Sequence, residues 1–291
     1  MKIVNKVILL FIVLASIVGG LFFDAYNNAP SRFTVRFETV SSTRIPEQLN
    51  NVNILYFSDL HFGLFMDVYR LEKLVNLINN SGADVVIFGG DLFHSDTVNS
   101  INYESIQNVK TLLKEIKAPL GKFAVYGDQD HNNLDIVNET LFDSDFEVIN
   151  NNNIKLRNKG SQSINIVGID SEDNGNINIE QAYNNIPKLS YTIAVCHTPD
   201  TVTKIEKNLT DLYLSGHSLA GQAYFFIDSL YKPEFTSLYY RGKHLIDNKI
   251  KVDISSGVGT VIKDVRFLSN AEIVIYTLKH KEFQENTTLP E

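Results

Sequence analysis

The sequence predicts an α/β fold built on a parallel core sheet, carried behind one N-terminal apolar helix. Three observations predict it. First, short apolar runs alternate with amphipathic ones: "VNILYFSDLH", "DVYRLEKLVNLINNSG", "ADVVIFGGD", "INYESIQNVKTLLKEIKAPLG" and "KFAVYGDQD" read strand, helix, strand, helix, strand. That βαβαβ order requires parallel strands joined by right-handed crossovers. Second, the pattern turns to strands after Leu141. "FEVINNNNIKLRNKGSQSINIVGID" reads strand, Asn-rich turn, strand, strand; "LSYTIAVCHTPD" and "TDLYLSGHSLAGQ" are buried strands with polar ends; "KVDISSGVGTVIKDVRFLSNAEIVIYTLK" reads mostly as strand. Third, an uninterrupted apolar run, Val7 to Phe23, follows Lys2 and Lys6.

That run is 17 residues long (positions 7 to 23), at the short end of the roughly 17–25 that cross a bilayer. A cleaved signal peptide and a retained anchor both fit such a start. The run exceeds the roughly 7–15 residues of a signal-peptide core, and no small-x-small site precedes Asp24, so the expectation is an anchor over 1–23. Lysines ahead of the span predict a single-pass protein of the cell membrane, its N-terminus cytoplasmic and its main domain extracytoplasmic. Residues 24–51 read as a tether with one edge strand, "FTVRFETV"; 52–280 form the main domain, and 281–291 a polar tail.

The chain of 291 residues is 44% hydrophobic and 21% charged, enough to bury a sizeable core. Its net charge of −8 argues against a nucleic-acid partner, which requires a basic face, and fits a site where carboxylates hold cations. A single cysteine, Cys196, excludes an internal disulfide.

Polar residues recur at the carboxyl ends of successive strands: Asp59 and His61, Asp91, Asp128 to His131, His197, and His217. Ligands of open α/β sheets bind at that edge. Alone, each has a plain structural reading: Asp59 and Asp91 as helix or turn caps, His197 and His217 as hydrogen-bonded core histidines. Together they predict a metal site, with oxygen and imidazole donors suited to Mn, Fe or Zn rather than Ca.

The ordered set "SDLH", "GGD", "YGDQD", "CHTPD" and "SGHSLAGQ" resembles the calcineurin-like metallophosphoesterase superfamily, whose pattern is Asp-x-His, Gly-Asp, Gly-Asn-His-Asp/Glu, a lone His and Gly-His-x-His. With the N-terminal anchor, "SGVGT" and "VRF…AEIVIYTL", it is similar to a membrane-anchored bacterial branch that includes lipid-headgroup pyrophosphatases. The resemblance covers roughly Val52 to Leu278. It implies a four-layer αββα sandwich of two mixed β-sheets. It also implies one ion held by Asp59, His61 and Asp91 and a second held by Asp91, Asp128, His197 and His217. Two such ions clamp a phosphate and activate water.

Three positions depart from that pattern. Asp128 stands where the family has Asn and still offers an oxygen. Gln129 occupies the place of the His that serves the leaving oxygen; it cannot transfer a proton, and loss of a general acid costs about 10²–10⁴ in rate. Leu219 stands where the last His returns to the first ion, so that site drops to three protein ligands, and one ion is the alternative to two. His131 either rotates in as a substitute acid or is a solvated turn residue, and His94, just after "GGD", is another nearby imidazole with the same two readings. Cys196, next to His197 on a strand, is expected to point away from it. "QAYFFIDSLYKPEFTSLYY" reads equally as core or as an apolar rim facing lipid.

Two functions follow. The first is a metal-dependent phosphoester or pyrophosphate hydrolase acting on a phosphorylated small molecule or lipid headgroup. The alternative is a pseudoenzyme that binds a phosphorylated ligand or a protein without turnover.

Overall fold

The computed structural model describes residues 2–225 and 228–282. Helix α1 (Lys2–Asn27) comes first, then strands β1 (Thr34–Ser42) and β2 (Asn53–Phe57), α2 (Val68–Asn80), β3 (Val85–Phe88), α3 (Tyr103–Lys114), β4 (Lys122–Ala124), α4 (Leu134–Asp143) and β5 (Glu147–Val148). The second half holds β6 (Asn152–Leu156), β7 (Ile164–Ile169), the one-turn α5 (Ile179–Ala182), β8 (Thr192–Cys196), β9 (Leu212–Ser215), β10 (Gly242–Ile246), β11 (Ile250–Ile254) and β12 (Glu272–His280).

The strands form two six-stranded mixed sheets, in the orders β1-β12-β2-β3-β4-β5 and β10-β11-β9-β8-β7-β6. β2, β3 and β4 are parallel, as the βαβαβ reading requires, while β12 runs antiparallel to β2. Apolar faces decide the layering. Leu71, Leu74, Val75 and Ile78 of α2 and Val109 and Leu113 of α3 pack on one face of the first sheet with Leu55, Val86 and Phe88. Ile54, Tyr56, Val85 and Ile87 point to the other face and meet Ile166, Ile193, Val195 and Leu214 of the second sheet. Such alternation along each strand puts one row on each face. Ala182 of α5 and Tyr183 cover the outer face of the second sheet over Val167, Ala194 and Cys196. The arrangement is the four-layer αββα sandwich.

Helix caps follow local chemistry. Asp67 accepts from the Arg70 amide at the start of α2, and Asn102 from the Ser105 amide at the start of α3. The stretch read as tether and edge strand supplies β1, which pairs along its whole length with β12 at the sheet edge, and the buried side chains Ile45 and Leu49. α1 is continuous past Asp24, and its apolar side chains from Ile3 to Phe23 are exposed. Its 26 residues span about 39 Å at 1.5 Å each, enough for a hydrocarbon layer of about 30 Å.

Two expectations change. α4 is a helix where none was read, because it is only ten residues long and its apolar residues Leu134, Ile136, Val137, Leu141 and the exposed Phe142 are not confined to one face. Between β11 and β12, residues 255–271 are a loop rather than strand; the fully buried Arg266 holds that loop by donating to the carbonyls of Ser256, Gly257 and Gly259. Of the predicted polar tail, 283–291 lie outside the described residues.

Candidate metal centre

The carboxyl ends of β2, β3 and β4 converge with those of β8 and β9 where the two sheets meet. Asp59, His61, Asp91, Asp128, His197 and His217 are all buried there. Their donor atoms fall into two groups sharing Asp91: Asp59, His61 and Asp91 in one, Asp91, Asp128, His197 and His217 in the other, with the atoms of each within 4.8 Å of one another. Oδ2 of Asp91 lies between them, 3.6 Å from Nε2 of His61 and 3.2 Å from Nε2 of His197. Oδ1 of Asp128 is 3.2 Å from Nε2 of His197 and 2.9 Å from Nδ1 of His217.

Backbone strain aims these groups. Asp59, His61, Asp91 and His217 have φ of 59°, 47°, 61° and 67°, a left-handed conformation that non-glycine residues adopt at a cost and keep where surroundings enforce it. The surroundings are hydrogen bonds between loops: the Asp59 amide donates to the Gly90 carbonyl and the His61 amide to that of Asp91. Asp130 braces them from below. Its carboxylate, buried, accepts from the amides of Asp91, Leu92 and Gly127 at 2.8–2.9 Å. A Cβ on Gly127 would lie 2.1 Å from Oδ1 of Asp91, so only glycine lets the two loops close.

Each imidazole of the second group has one nitrogen fixed. Nδ1 of His197 is 2.7 Å from the Gly89 carbonyl, and Nε2 of His217 is 3.0 Å from that of Glu234. A carbonyl only accepts, so these nitrogens carry the protons and the others present lone pairs inward. His61 has no such partner on either nitrogen. Asp59 accepts from the Ser58 hydroxyl and the His217 amide, and Asp91 accepts from the Gln129 amide at 2.9 Å.

The departures from the family pattern each have a local role. Gln129 accepts from the amide and hydroxyl of Ser95 and donates to Oδ2 of Asp128 at 3.2 Å, so its side chain positions Asp128. Leu219 is fully buried, and Gly257, with φ of 63°, lies against both it and Asp59. His131 is neither a solvated turn residue nor directed at the carboxylates of the two donor groups. Its Nε2 sits 2.7 Å from Oδ1 of Asp170, itself held by the Ser171 and Asn176 amides. His94 packs edge-on to His61, ring centroids 5.6 Å apart. Cys196 faces the outer core, away from His197.

Electrostatics follow from burial of like and unlike charges. Burial and then Asp128 push the Asp91 carboxyl up to about 7. Burial, with His94 adding, pushes His61 down to about 3, a neutral ligand at any ordinary pH.

The donor set fits divalent cations. Nε2 of His197, Nδ1 of His217, both nitrogens of His61 and Oδ1 of Asp128 are buried with no hydrogen-bond partner among the described residues. Buried polar atoms are almost always partnered, and converging lone pairs on imidazole and carboxylate are what an ion of the Mn, Fe or Zn class satisfies. Sequence reading assigned no role to Asp130, Ser58 or Arg266. Asp130 stands at the acidic position closing the "GDQD" motif, which was a signal; nothing local marks Ser58 or Arg266.

The model of the calcineurin-like phosphoesterase family matches residues 52–221. The chain is 27% identical over 264 residues to the uncharacterized metallophosphoesterase YkuE of Bacillus subtilis, covering 90% of this chain and 91% of that one. It is 26% identical to a transmembrane protein with metallophosphoesterase domain from Danio rerio, covering 81% of this chain but only 55% of that protein. Among solved structures, TT1561 of Thermus thermophilus superposes with a TM-score of 0.45 at 13% identity, covering 72% of this chain and 91% of that one.

Proposed function

The chain belongs to the calcineurin-like phosphoesterase family, and on that premise we propose that it is a metal-dependent phosphoester or pyrophosphate hydrolase. It is anchored by α1 and acts outside the cytoplasm on a phosphorylated small molecule or lipid headgroup. The observation that carries this reading is the set of buried, unpartnered imidazole and carboxylate atoms converging on two points that share Asp91.

In this reading Asp59, His61 and Asp91 hold one ion, and Asp91, Asp128, His197 and His217 hold the other. The ions, when bound, supply positive charge to the phosphate and a water acidified enough to attack it. The chain's own residues do the positioning. Asp91 sits between both groups; its Oδ1 accepts from the Gln129 backbone amide, and its Oδ2, close to both His61 and His197, would be free to serve an ion. The Gly89 and Glu234 carbonyls keep the proton on the outward nitrogens of His197 and His217. Gln129 holds Asp128 but has no proton to give a leaving oxygen, so solvent supplies it.

The test is hydrolysis of a chromogenic phosphodiester with added Mn²⁺ by the full chain. Turnover that disappears in Asp91→Ala supports the reading; no turnover under conditions where Mn²⁺ binds would sink it.

One observation favours a second reading, binding without turnover. Both ends of the Gln129 amide are already engaged, and Leu219 fills the last ligand position with a methyl-bearing side chain. If only a Gln129→His, Leu219→His double variant turns over, this second reading stands.

A further inference from the structure

α1 does not leave the body as a free stalk. The Arg266 amide donates to the Ala25 carbonyl at 3.0 Å in the last turn of α1, and Ala25 is buried. Above that junction lies a groove of about 400 Å³, walled on one side by Leu21, Phe22 and Tyr26 of α1 and on the other by Phe225, Leu230 and Phe267. Phe225 and Phe267 stack with centroids 5.6 Å apart. The wall is fixed from behind: Tyr224 donates its amide to the Phe267 carbonyl, Phe267 to that of Gln222, and buried Gln222 bonds Lys263 and Val261 through its side chain.

The groove adjoins the metal centre. Leu230 lines it, the amide of the next residue, Tyr231, donates to the Gly221 carbonyl, and the Glu234 carbonyl further along the segment accepts from Nε2 of His217. Leu219, on the same segment, lies within the centre itself. We propose that this groove takes an acyl chain of a bilayer lipid, so that the lipid's phosphate end comes to the mouth of the centre. The occupant follows from the walls: one is the helix whose apolar surface is long enough to cross a bilayer, so the groove opens where hydrocarbon lies. Exposed Lys263 lines the same groove and offers a cation to the headgroup. An open apolar face of this kind in water would invite aggregation. The substrate consequence rests on the hydrolase reading and selects lipid headgroups over soluble phosphates; occupancy of the groove does not depend on it.

The chain contains no tryptophan, so an introduced one reports alone. Full-length Phe225→Trp and Phe267→Trp are placed in nanodiscs of phosphatidylcholine with or without bromine midway along the acyl chains. Both should emit in the blue and lose most emission to brominated lipid, as should Phe11→Trp, exposed on α1 away from the groove. Leu245→Trp, exposed on β10, should not. Quenching of Phe11→Trp alone overturns the proposal. Blue emission indifferent to bromine would mean a protein segment covers the groove, and red-shifted emission would mean water; either also overturns it. Melting curves identify any variant that misfolds, and the second position then decides. Because Mn²⁺ binding and turnover are read separately in the same discs, loss of the hydrolase reading leaves this result standing, and the reverse.

Discussion

Gln129 donates its side-chain Nε2–H to Oδ2 of Asp128 at 3.2 Å while its own oxygen is held by Ser95. A residue that has lost the chemistry of a proton donor thus keeps a carboxylate in place. Gln129→Ala should therefore weaken Mn²⁺ binding by about 10–100-fold, the usual consequence of losing a ligand's outer partner. Titration calorimetry reads it, and unchanged affinity would mean that Asp128 is positioned without Gln129.

The two groups differ in how firmly their imidazoles are held. His197 is locked to the Gly89 carbonyl, whereas His61 has no partner. We expect His197→Ala to abolish the tighter binding event and His61→Ala to remove only a weaker one. Equal losses from both would refute that order.

Asp130 satisfies three buried amides at once. Asp130→Ala leaves them unpaired, at about 1–3 kcal/mol each, so chemical denaturation should show a loss of about 3 kcal/mol or more. Asp130→Asn, which keeps an acceptor, should lose less.

The His131–Asp170 pair makes stability depend on pH. The Asp170 hydrogen bond raises His131 above its ordinary 6.5, so that contribution is present below 6.5 and disappears as pH rises through the folded value. Burial opposes ionisation of Asp170, but His131 outweighs it and holds the carboxyl below 3.8; that contribution is present above 3.8 and lost as pH falls through the folded value. His131→Gln should thus cost most between pH 3.8 and 6.5, about 1–2 kcal/mol, and little at pH 9. A pH-independent loss in urea melts would mean that only packing is affected.

Much of this was legible in the chain because each motif closes an apolar run. "NILYF" and "VVIF" are buried on both faces, so nothing but their ends can be polar, and Asp59 and Asp91 stand at those ends. What stayed hidden is non-local. The left-handed backbone of four ligand residues is not encoded by glycine at those positions but imposed by other loops, as with Asp130 under Asp91. Arg266 reads as a surface charge and is instead fully buried, its two terminal guanidinium nitrogens donating to carbonyls of a loop against Asp59. His131 reads as a turn residue because Asp170, its partner, belongs to the other sheet. α4 escaped because its apolar residues, the exposed Phe142 among them, mark no single face over so short a helix.

The placement of β12 between β1 and β2 has a temporal consequence. Thr34 to Ser42 find their partners only in Glu272 to His280, so the first strand made waits for the last. Until then β1 and β2 are separate raw edges, and contacts of such sequence separation form slowly. A nascent chain therefore remains unlocked until nearly all of it has been made, and any chain stopped before position 272 should be cleared by proteases rather than accumulate.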